Sequence, residues 1–215
     1  QANRYKVPRI CFLNKMDKPG ADFDMCVNGI RKRLGANAIP VQYPIGQGNE
    51  FVGIVDLIEQ TAIYYDPDSE GQRWTVKEIP PELAETCAAW RHELLDAAAE
   101  QDDALMERYL AGEMPSHEEI RVALRKGVVA GRVNPVLVGS ALRNKGVQRV
   151  LDAVCYYLPC PLDIKSIKGW HPVTKEEIVR QVDAKAELAA LAFKMISDKN
   201  GDLTFVRVYS GTLAT

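Results

Sequence analysis

A short polar sequence that directly follows an apolar run is the feature that most constrains the fold. Residues 7–13 are largely apolar and lead into Asn-Lys-Met-Asp at 14–17. A second apolar run, 135–138, leads into Gly-Ser-Ala-Leu at 139–142. Each run is followed by apolar residues at helical spacing, which is typical of parallel strands connected by helices. The sequence therefore predicts an α/β fold whose two polar loops meet at the carboxyl edge of a parallel sheet.

Helices are predicted wherever apolar residues recur at helical spacing between capping and breaking residues. Asp22 is a predicted N-cap, and Gly35 ends that helix after Leu34. Ser116 and Glu119 predict a capping box. In chain order the predicted helices span 22–34, 80–97, 103–110, 116–130 and 146–158.

Strands are predicted from short alternating runs between turn residues. The runs 51–55 and 61–65 indicate an α+β subdomain between the two polar loops. Residues 162–185 have no clear period and are interpreted as a mixed linker. Near the C-terminal end, 188–196 and 203–209 flank Asn200-Gly201, which predicts a hairpin. Because a lone hairpin is marginal in water, we expect this last domain to be truncated and the chain to be a fragment of a larger protein.

The net charge of −2 conceals a division of charge along the chain. Residues 36–130 contain 18 acidic and 7 basic residues, whereas the remaining residues contain 11 acidic and 20 basic residues. Such a division suggests two modules that face different partners, the basic part a polyanion such as RNA and the acidic part a basic protein surface. The alternative, that both are ordinary solvated faces, stays open at this point.

Composition excludes several other classes of protein. Hydrophobic residues make up 47% of the chain, but no apolar run approaches the roughly 18 residues of a membrane span. The 5 cysteines are odd in number and form no C-x-x-C pair, so we expect reduced thiols in a cytoplasmic protein. The 3 histidines are far apart, and no metal site is predicted. DNA binding is not expected.

The first polar loop has the chemistry needed to recognise a guanine base. Guanine presents two neighbouring donors, N1–H and the N2 amine, and the carboxylate of Asp17 can accept both at once. Asn14 can donate toward the N7 side of the base and connect neighbouring loops. The aliphatic stem of Lys15 can lie across the ring. Taken alone, these are also ordinary turn residues after a strand.

The second polar loop can supply the remaining contacts. A backbone N–H at Ala141 is placed to donate to guanine O6, and its small side chain permits close approach. Ser140 can hydrogen-bond Asp17 and orient its carboxylate. Leu142 can cover the opposite face of the base. The sequence thus predicts a guanine site formed by 14–17 together with 140–142.

Over essentially its whole length the chain resembles elongation factor G, the ribosomal translocase. The stretches that carry the resemblance are 4–9, 14–23, 139–148, 157–164 and 188–213. Lys18-Pro19 departs from the Arg and small or polar residue that are usual in the family, and Leu142-Arg143 replaces a common Phe-Lys. These departures leave open a paralogue, namely a ribosome-protection, recycling or release-type factor.

The resemblance implies a domain organisation and partners. Asp17 and Ser140 are 123 positions apart, and the family has an inserted subdomain at this place. We expect 1–35 and 131–165 to form parts of a P-loop-type GTP-binding domain, 36–130 an acidic α+β insert, and 166–215 the start of an antiparallel β-barrel domain. The family contacts rRNA and, through an acidic helix of the insert, the ribosomal stalk protein. The candidates for the stalk contact are Glu82, Glu85 and Glu93.

The chain does not contain the sequence G-x-x-x-x-G-K-[ST], which cradles phosphates in this class of protein. The switch segments that hold Mg²⁺ in family members are also missing from the sequence. We therefore assign no catalytic residue and expect no GTP hydrolysis by this chain alone. GTP or GDP is the expected ligand, with Mg²⁺ only in the intact parent protein, which is expected to be a monomer. An opposing hypothesis treats the chain as a stalk-binding module without a nucleotide role.

Overall fold

The computed structural model describes residues 2–163, 166–171, 173–199 and 201–214. The chain divides into two compact units, Gln1–Leu158 and Pro159–Thr215. The helices of the first unit are α1 (Phe23–Leu34), α2 (Pro81–Ala99), α3 (Asp103–Leu110), α4 (His117–Val129) and α5 (Val147–Tyr157). Its strands are β1 (Cys11–Leu13), β2 (Ala38–Pro40), β3 (Gln42–Ile45), β4 (Gly53–Asp56), β5 (Thr61–Tyr65), β6 (Trp74–Lys77) and β7 (Asn134–Val138).

A three-stranded parallel sheet lies at the centre of the site-bearing region. Its strand order is β1-β7-β2, and β7 is buried along its whole length. Leu13 is paired with Val138, so β1 and β7 end at the same level. The predicted α/β fold with a parallel sheet is confirmed, and the register brings the two polar loops to the same edge.

A second sheet, antiparallel and ordered β3-β4-β5-β6, lies between the two polar loops in the sequence. Ala38–Pro40, at the start of the predicted insert 36–130, pairs instead with β7 of the parallel sheet. The sheet assignment therefore separates 38–40 from the antiparallel strands that follow. The division of the chain into 1–35, 36–130, 131–165 and 166–215 remains a prediction.

Local signals in the sequence determine how α1 and α4 begin. The Asp22 carboxylate accepts a hydrogen bond from Met25 N at 2.8 Å, as an N-cap does. Gly35 ends α1 with a φ of 60°, a conformation that glycine adopts without strain. At α4, Ser116 and Glu119 form the reciprocal capping box that the sequence predicts.

The core of the first unit joins α1 and α2 to the antiparallel sheet. Phe23, fully buried at the start of α1, contacts the ring of Tyr43 at 4.9 Å and that of Trp90 at 5.5 Å between centroids. Both pairs have the edge-to-face geometry that aromatic rings favour. Arg31 donates to Ala38 O at 2.7 Å and forms an ion pair with Glu93, which connects α1 to both β2 and α2.

The second unit consists of antiparallel pairs of strands. Its strands are β8 (Ser166–Trp170), β9 (Glu177–Gln181), β10 (Ala189–Asp198) and β11 (Gly201–Ser210). The prediction of a linker over 162–185 is wrong, because β8 pairs with β9 through five residues of each strand. The predicted hairpin is confirmed as the β10–β11 pair. Asn200 of the predicted turn lies outside the described residues.

Candidate functional site

The two polar loops are joined by backbone hydrogen bonds at the carboxyl edge of the parallel sheet. Met16 N donates to Gly139 O at 3.1 Å, and Gly139 N donates to Leu13 O at 3.0 Å. Met16 is only 1% exposed, so the first loop is fixed to the core beneath it. The prediction that the loops lie side by side is confirmed.

Asn14 connects the two loops through its side chain. Its Oδ1 accepts from Lys15 N at 2.8 Å and from Ala141 N at 2.9 Å. The sequence predicts that the Ala141 N–H donates to guanine O6, but in the structure this N–H donates to Asn14 Oδ1. A bound guanine O6 would therefore either share this N–H with Asn14 Oδ1 or replace Asn14 Oδ1 as its acceptor. Lys15 has a φ of 66° and is exposed, whereas its neighbour Met16 is buried.

The Asp17 carboxylate is held between the loops, and its side chain is 13% exposed. Oδ2 is 3.8 Å from Lys18 Nζ and 3.9 Å from Arg143 Nε. Oδ1 is buried and accepts no hydrogen bond from any residue that the structure describes. A buried acceptor without a donor is costly unless a ligand or water supplies one.

The surroundings of Asp17 favour its ionised form. The nearby Ser140 hydroxyl is the main cause that lowers the pKa of Asp17, with smaller contributions from the Asp17 backbone N–H, Lys18 and Arg143, while burial acts in the opposite direction. The hydroxyl is near enough to stabilise the anion, but it does not make a hydrogen bond with Oδ1. Asp17 is thus a carboxylate at neutral pH, and among the described residues none donates to its Oδ1.

The second loop closes on itself directly after the predicted site residues. Ser140 N donates to Lys145 O at 2.9 Å, and Lys145 N donates to Ser140 O at 3.0 Å. Within this closed loop Leu142 is 77% exposed. An aliphatic side chain this exposed beside a polar site is available to cover the face of a flat ligand.

A cavity of about 440 Å³ adjoins the site. Of the predicted site residues, Asp17 and Leu142 line it, whereas Asn14, Lys15, Ser140 and Ala141 do not. The other lining residues come from the end of the second loop and from 48–71: Gly48, Asn49, Phe51, Asp66, Pro67, Glu70, Gly71, Arg143, Asn144 and Lys145. Sequence analysis did not assign a role to Arg143 or Lys145, although both lie within the stretch 139–148 that carries the family resemblance.

The three candidate stalk-binding residues differ in their surroundings. Glu82 and Glu85 are exposed on the first two turns of α2. Glu93 is half-buried and forms an ion pair with Arg31. The structure therefore gives Glu93 an intramolecular contact that sequence analysis missed, while the two other carboxylates face solvent.

In the part of the chain that the structure describes, no group of three or more His, Cys, Asp and Glu side chains is arranged to hold a metal ion. Likewise, none of its helices combines the length and the apolar character needed to cross a membrane.

The parallel sheet and its two connected loops define an α/β domain of the class that binds ligands at the carboxyl ends of its strands. Residues 1–160 match the family model described as "Elongation factor Tu GTP binding domain", and the chain belongs to this family. A crystal structure of a protein from Thermus thermophilus is similar, with 28% identity and a TM-score of 0.76. The match covers 98% of this chain and 28% of that protein, so the chain spans little more than a quarter of its relative's length.

Proposed function

We propose that this chain is part of a translocation GTPase resembling elongation factor G and that its two polar loops bind the guanine base of GTP or GDP. The observation that carries the proposal is the Asp17 carboxylate, which is ionised, mostly buried and equipped with an oxygen to which no described residue donates. Membership of the GTP-binding domain family supports the same ligand.

The residues fit a guanine base rather than an adenine base. Asp17 would accept from the N1–H and N2–H donors, an edge that adenine does not present. Ser140 would orient Asp17, and Asn14 with Ala141 would face the O6 and N7 side. Lys15 and Leu142, both exposed, would cover the two faces of the ring.

Hydrolysis is assigned to the larger protein and not to this chain alone. Phosphoryl transfer depends on groups that position the phosphates and neutralise their charge, and the 215 residues lack the phosphate-loop sequence. In the parent protein, bound Mg²⁺ would neutralise phosphate charge. The residues described above bind and orient the base.

The substitution Asp17→Asn tests the guanine assignment. An amide has one acceptor oxygen where a carboxylate has two, so it cannot accept N1–H and N2–H side by side, but its NH₂ can donate to the C2 carbonyl of xanthine. We expect the variant to bind GDP at least roughly tenfold more weakly and to gain affinity for XDP, since a charge-assisted hydrogen bond is lost. Titration calorimetry with GDP and XDP at millimolar concentrations measures both changes.

Asp68→Asn provides the matched control, because Asp68 is an exposed carboxylate in the first unit outside the two loops. This variant should retain the nucleotide preference of the original chain. If Asp17→Asn bound GDP as well as the original chain does, the guanine site would have to lie elsewhere.

We further propose that the parent protein acts on the ribosome, where the basic part of the chain faces rRNA and the acidic helix α2 faces the stalk protein. The exposed carboxylates Glu82 and Glu85 support α2 as the contact surface. A paralogous ribosome-protection, recycling or release-type factor would share these features. A stalk-binding module without a nucleotide role would keep the α2 contact and lack GDP binding.

The double substitution Glu82→Lys and Glu85→Lys tests the stalk contact. Reversing two exposed charges should weaken binding to purified stalk protein and reduce its salt dependence. Glu118→Lys, which changes an exposed charge on α4, is the control. If the original chain, the double variant and the Glu118→Lys control bound stalk protein with equal affinity, α2 would be excluded as the contact surface.

A further inference from the structure

One short segment of the predicted insert contacts both polar loops. This bridging segment, Gln47–Phe51, approaches the first loop through Gly48 N, which donates to Met16 O at 2.8 Å. It also reaches the start of α1, where Gln47 Oε1 accepts from Phe23 N at 2.9 Å. The first contact holds the residue immediately before Asp17, and the second holds the start of the helix that follows the first loop.

The same segment holds the second loop through Lys145. Lys145 Nζ donates to Phe51 O at 3.0 Å and lies 5.8 Å from the centroid of the Phe51 ring. The backbone of Lys145 closes the second loop against Ser140, as described above. Phe51 is 3% exposed, so the loop is tied to a fixed part of the core.

The conformation of the bridging segment depends on a tight turn at its start. Gly46 has a φ of 73°, and a Cβ on it would lie 2.0 Å from the carbonyl oxygen of Glu50. A side chain cannot be placed there without moving the segment. The turn therefore sets where Gly48 N and Phe51 O meet the two loops.

A second contact joins the insert to the residues after the second loop. Gln148 Nε2 donates to Gly71 O at 2.9 Å. A Cβ on Gly71 would approach the carbonyl oxygen of Asn144 to 2.3 Å, so the two backbones are packed closely. The insert thus encloses the second loop from two directions, around the cavity that Asp17 lines.

We propose that Lys145 and Gln47 are positioning residues, through which the bridging segment keeps the two guanine-reading loops in register. The proposal rests on the function proposed above for these loops. Neither side chain needs to touch the base. The two side chains act by holding Asp17 and the Ala141 N–H at the same edge of the sheet, so that one flat ligand can contact both.

The first test is amide hydrogen exchange in the 215-residue chain without nucleotide. Lys145→Met keeps the apolar stem but removes the donor to Phe51 O. We expect the Ala141 amide, and more weakly the Met16 amide, to exchange roughly tenfold faster, the scale of a lost hydrogen bond from a charged group. Lys145→Arg, which can still donate, should restore slow exchange.

The matched control is Lys126→Met, which removes a lysine that pairs with Asp102 away from the loops. It should leave exchange at Ala141 and Met16 unchanged. Unchanged exchange in Lys145→Met would overturn the proposal. Faster exchange to the same extent throughout the first unit would also overturn it, because that result indicates general loss of stability.

The second test is the preference for GDP over IDP, whose base lacks the N2 amine. A positioning role predicts that Lys145→Met and Gln47→Ala lower the ratio of the two affinities by roughly fivefold, since the charge-assisted contact at N2 weakens. An unchanged ratio would contradict positioning. If the original chain bound neither nucleotide, the proposed guanine site would fail, while the exchange measurements would still decide whether Lys145 holds the loops.

Discussion

Arg91 is important to the fold because it donates hydrogen bonds to backbone carbonyls, and not because of its charge. It lies on the inward side of α2, is 8% exposed, and donates to Ile58 O at 2.8 Å and also to Leu57 O. Burial lowers the pKa of Arg91, while the nearby Asp56 opposes this shift. The guanidinium joins α2 to the turn between β4 and β5.

We predict that Arg91→Met lowers the free energy of unfolding by about 2–3 kcal/mol, because two buried carbonyls lose their donors. Urea denaturation measures the change. The control is Arg73→Met, whose side chain is 72% exposed in an ion pair with Asp66 and should cost at most about 1 kcal/mol. Equal losses in both variants would show that the Arg91 hydrogen bonds do not stabilise the fold.

The sequence does not reveal this role of Arg91. Helical spacing places it beside the apolar positions Cys87 and Leu94. Nothing local, however, shows that carbonyls 33 and 34 positions earlier need a donor. The same reason explains Glu93, whose partner Arg31 is 62 positions away. Residue types and their periods predict which face of a helix is buried. The polar partner of a particular side chain depends on the completed fold.

At the scale of elements, the capping box of α4 is a strong local signal that the structure confirms. Ser116 N donates to Glu119 Oε2 at 2.8 Å, and Glu119 N donates to Ser116 Oγ at 3.3 Å. We predict that Ser116→Ala lowers the free energy of unfolding in urea titrations by about 1 kcal/mol, the usual effect of losing an N-cap. Ser116→Asp, which retains an acceptor, should recover most of the loss. Equal stability of Ser116→Ala and the original chain would show that the cap has no energetic effect.

The same element gives a prediction about pH. Hydrogen bonds from Ser116 and Arg108 lower the pKa of Glu119 from 4.5 to about 2. Because the folded pKa is depressed, the contribution of Glu119 is complete above pH 4.5 and is lost as the pH falls toward 2. The difference in unfolding free energy between the original chain and Glu119→Gln should therefore shrink over this range. A difference that stays constant in urea titrations from about pH 7 to about pH 2.5 would contradict the ionised capping box.

Elements were predictable where their signals are local. Helices with an N-cap and an apolar stripe, such as α1 and α4, follow the predicted bounds closely. Strand β2 has three residues, too few to show a period, and β8 and β9 depend on pairing with each other. Such short strands are specified by their neighbours in space, which the sequence does not display.

At the scale of the whole molecule, the meeting of the two polar loops could be predicted because two parallel strands end at one edge. The apolar runs before Asn14 and Gly139 were sufficient for that inference. The contribution of Gln47–Phe51 could not be predicted, since a turn within the insert has no pattern that names the loops as its partners. The sequence thus predicts candidate side chains and the meeting of their two loops, while it does not reveal the groups that support the loops.

The absence of a phosphate-loop sequence from the 215 residues has a measurable consequence for affinity. In proteins with such a loop, backbone N–H groups and a lysine hold the phosphates. Here the contacts that we propose lie on the base alone, so GDP should bind within a few-fold of guanosine, and GTP should not be hydrolysed above background. NMR titration of both ligands, with phosphate release for GTP, measures these outcomes.

The substitution Asp17→Ala should lower the affinities for GDP and for guanosine equally, because it removes a contact to the base that both ligands share. If GDP bound more than about a hundredfold tighter than guanosine, these residues would hold a phosphate site of their own, and the base contacts would be the smaller part of nucleotide binding.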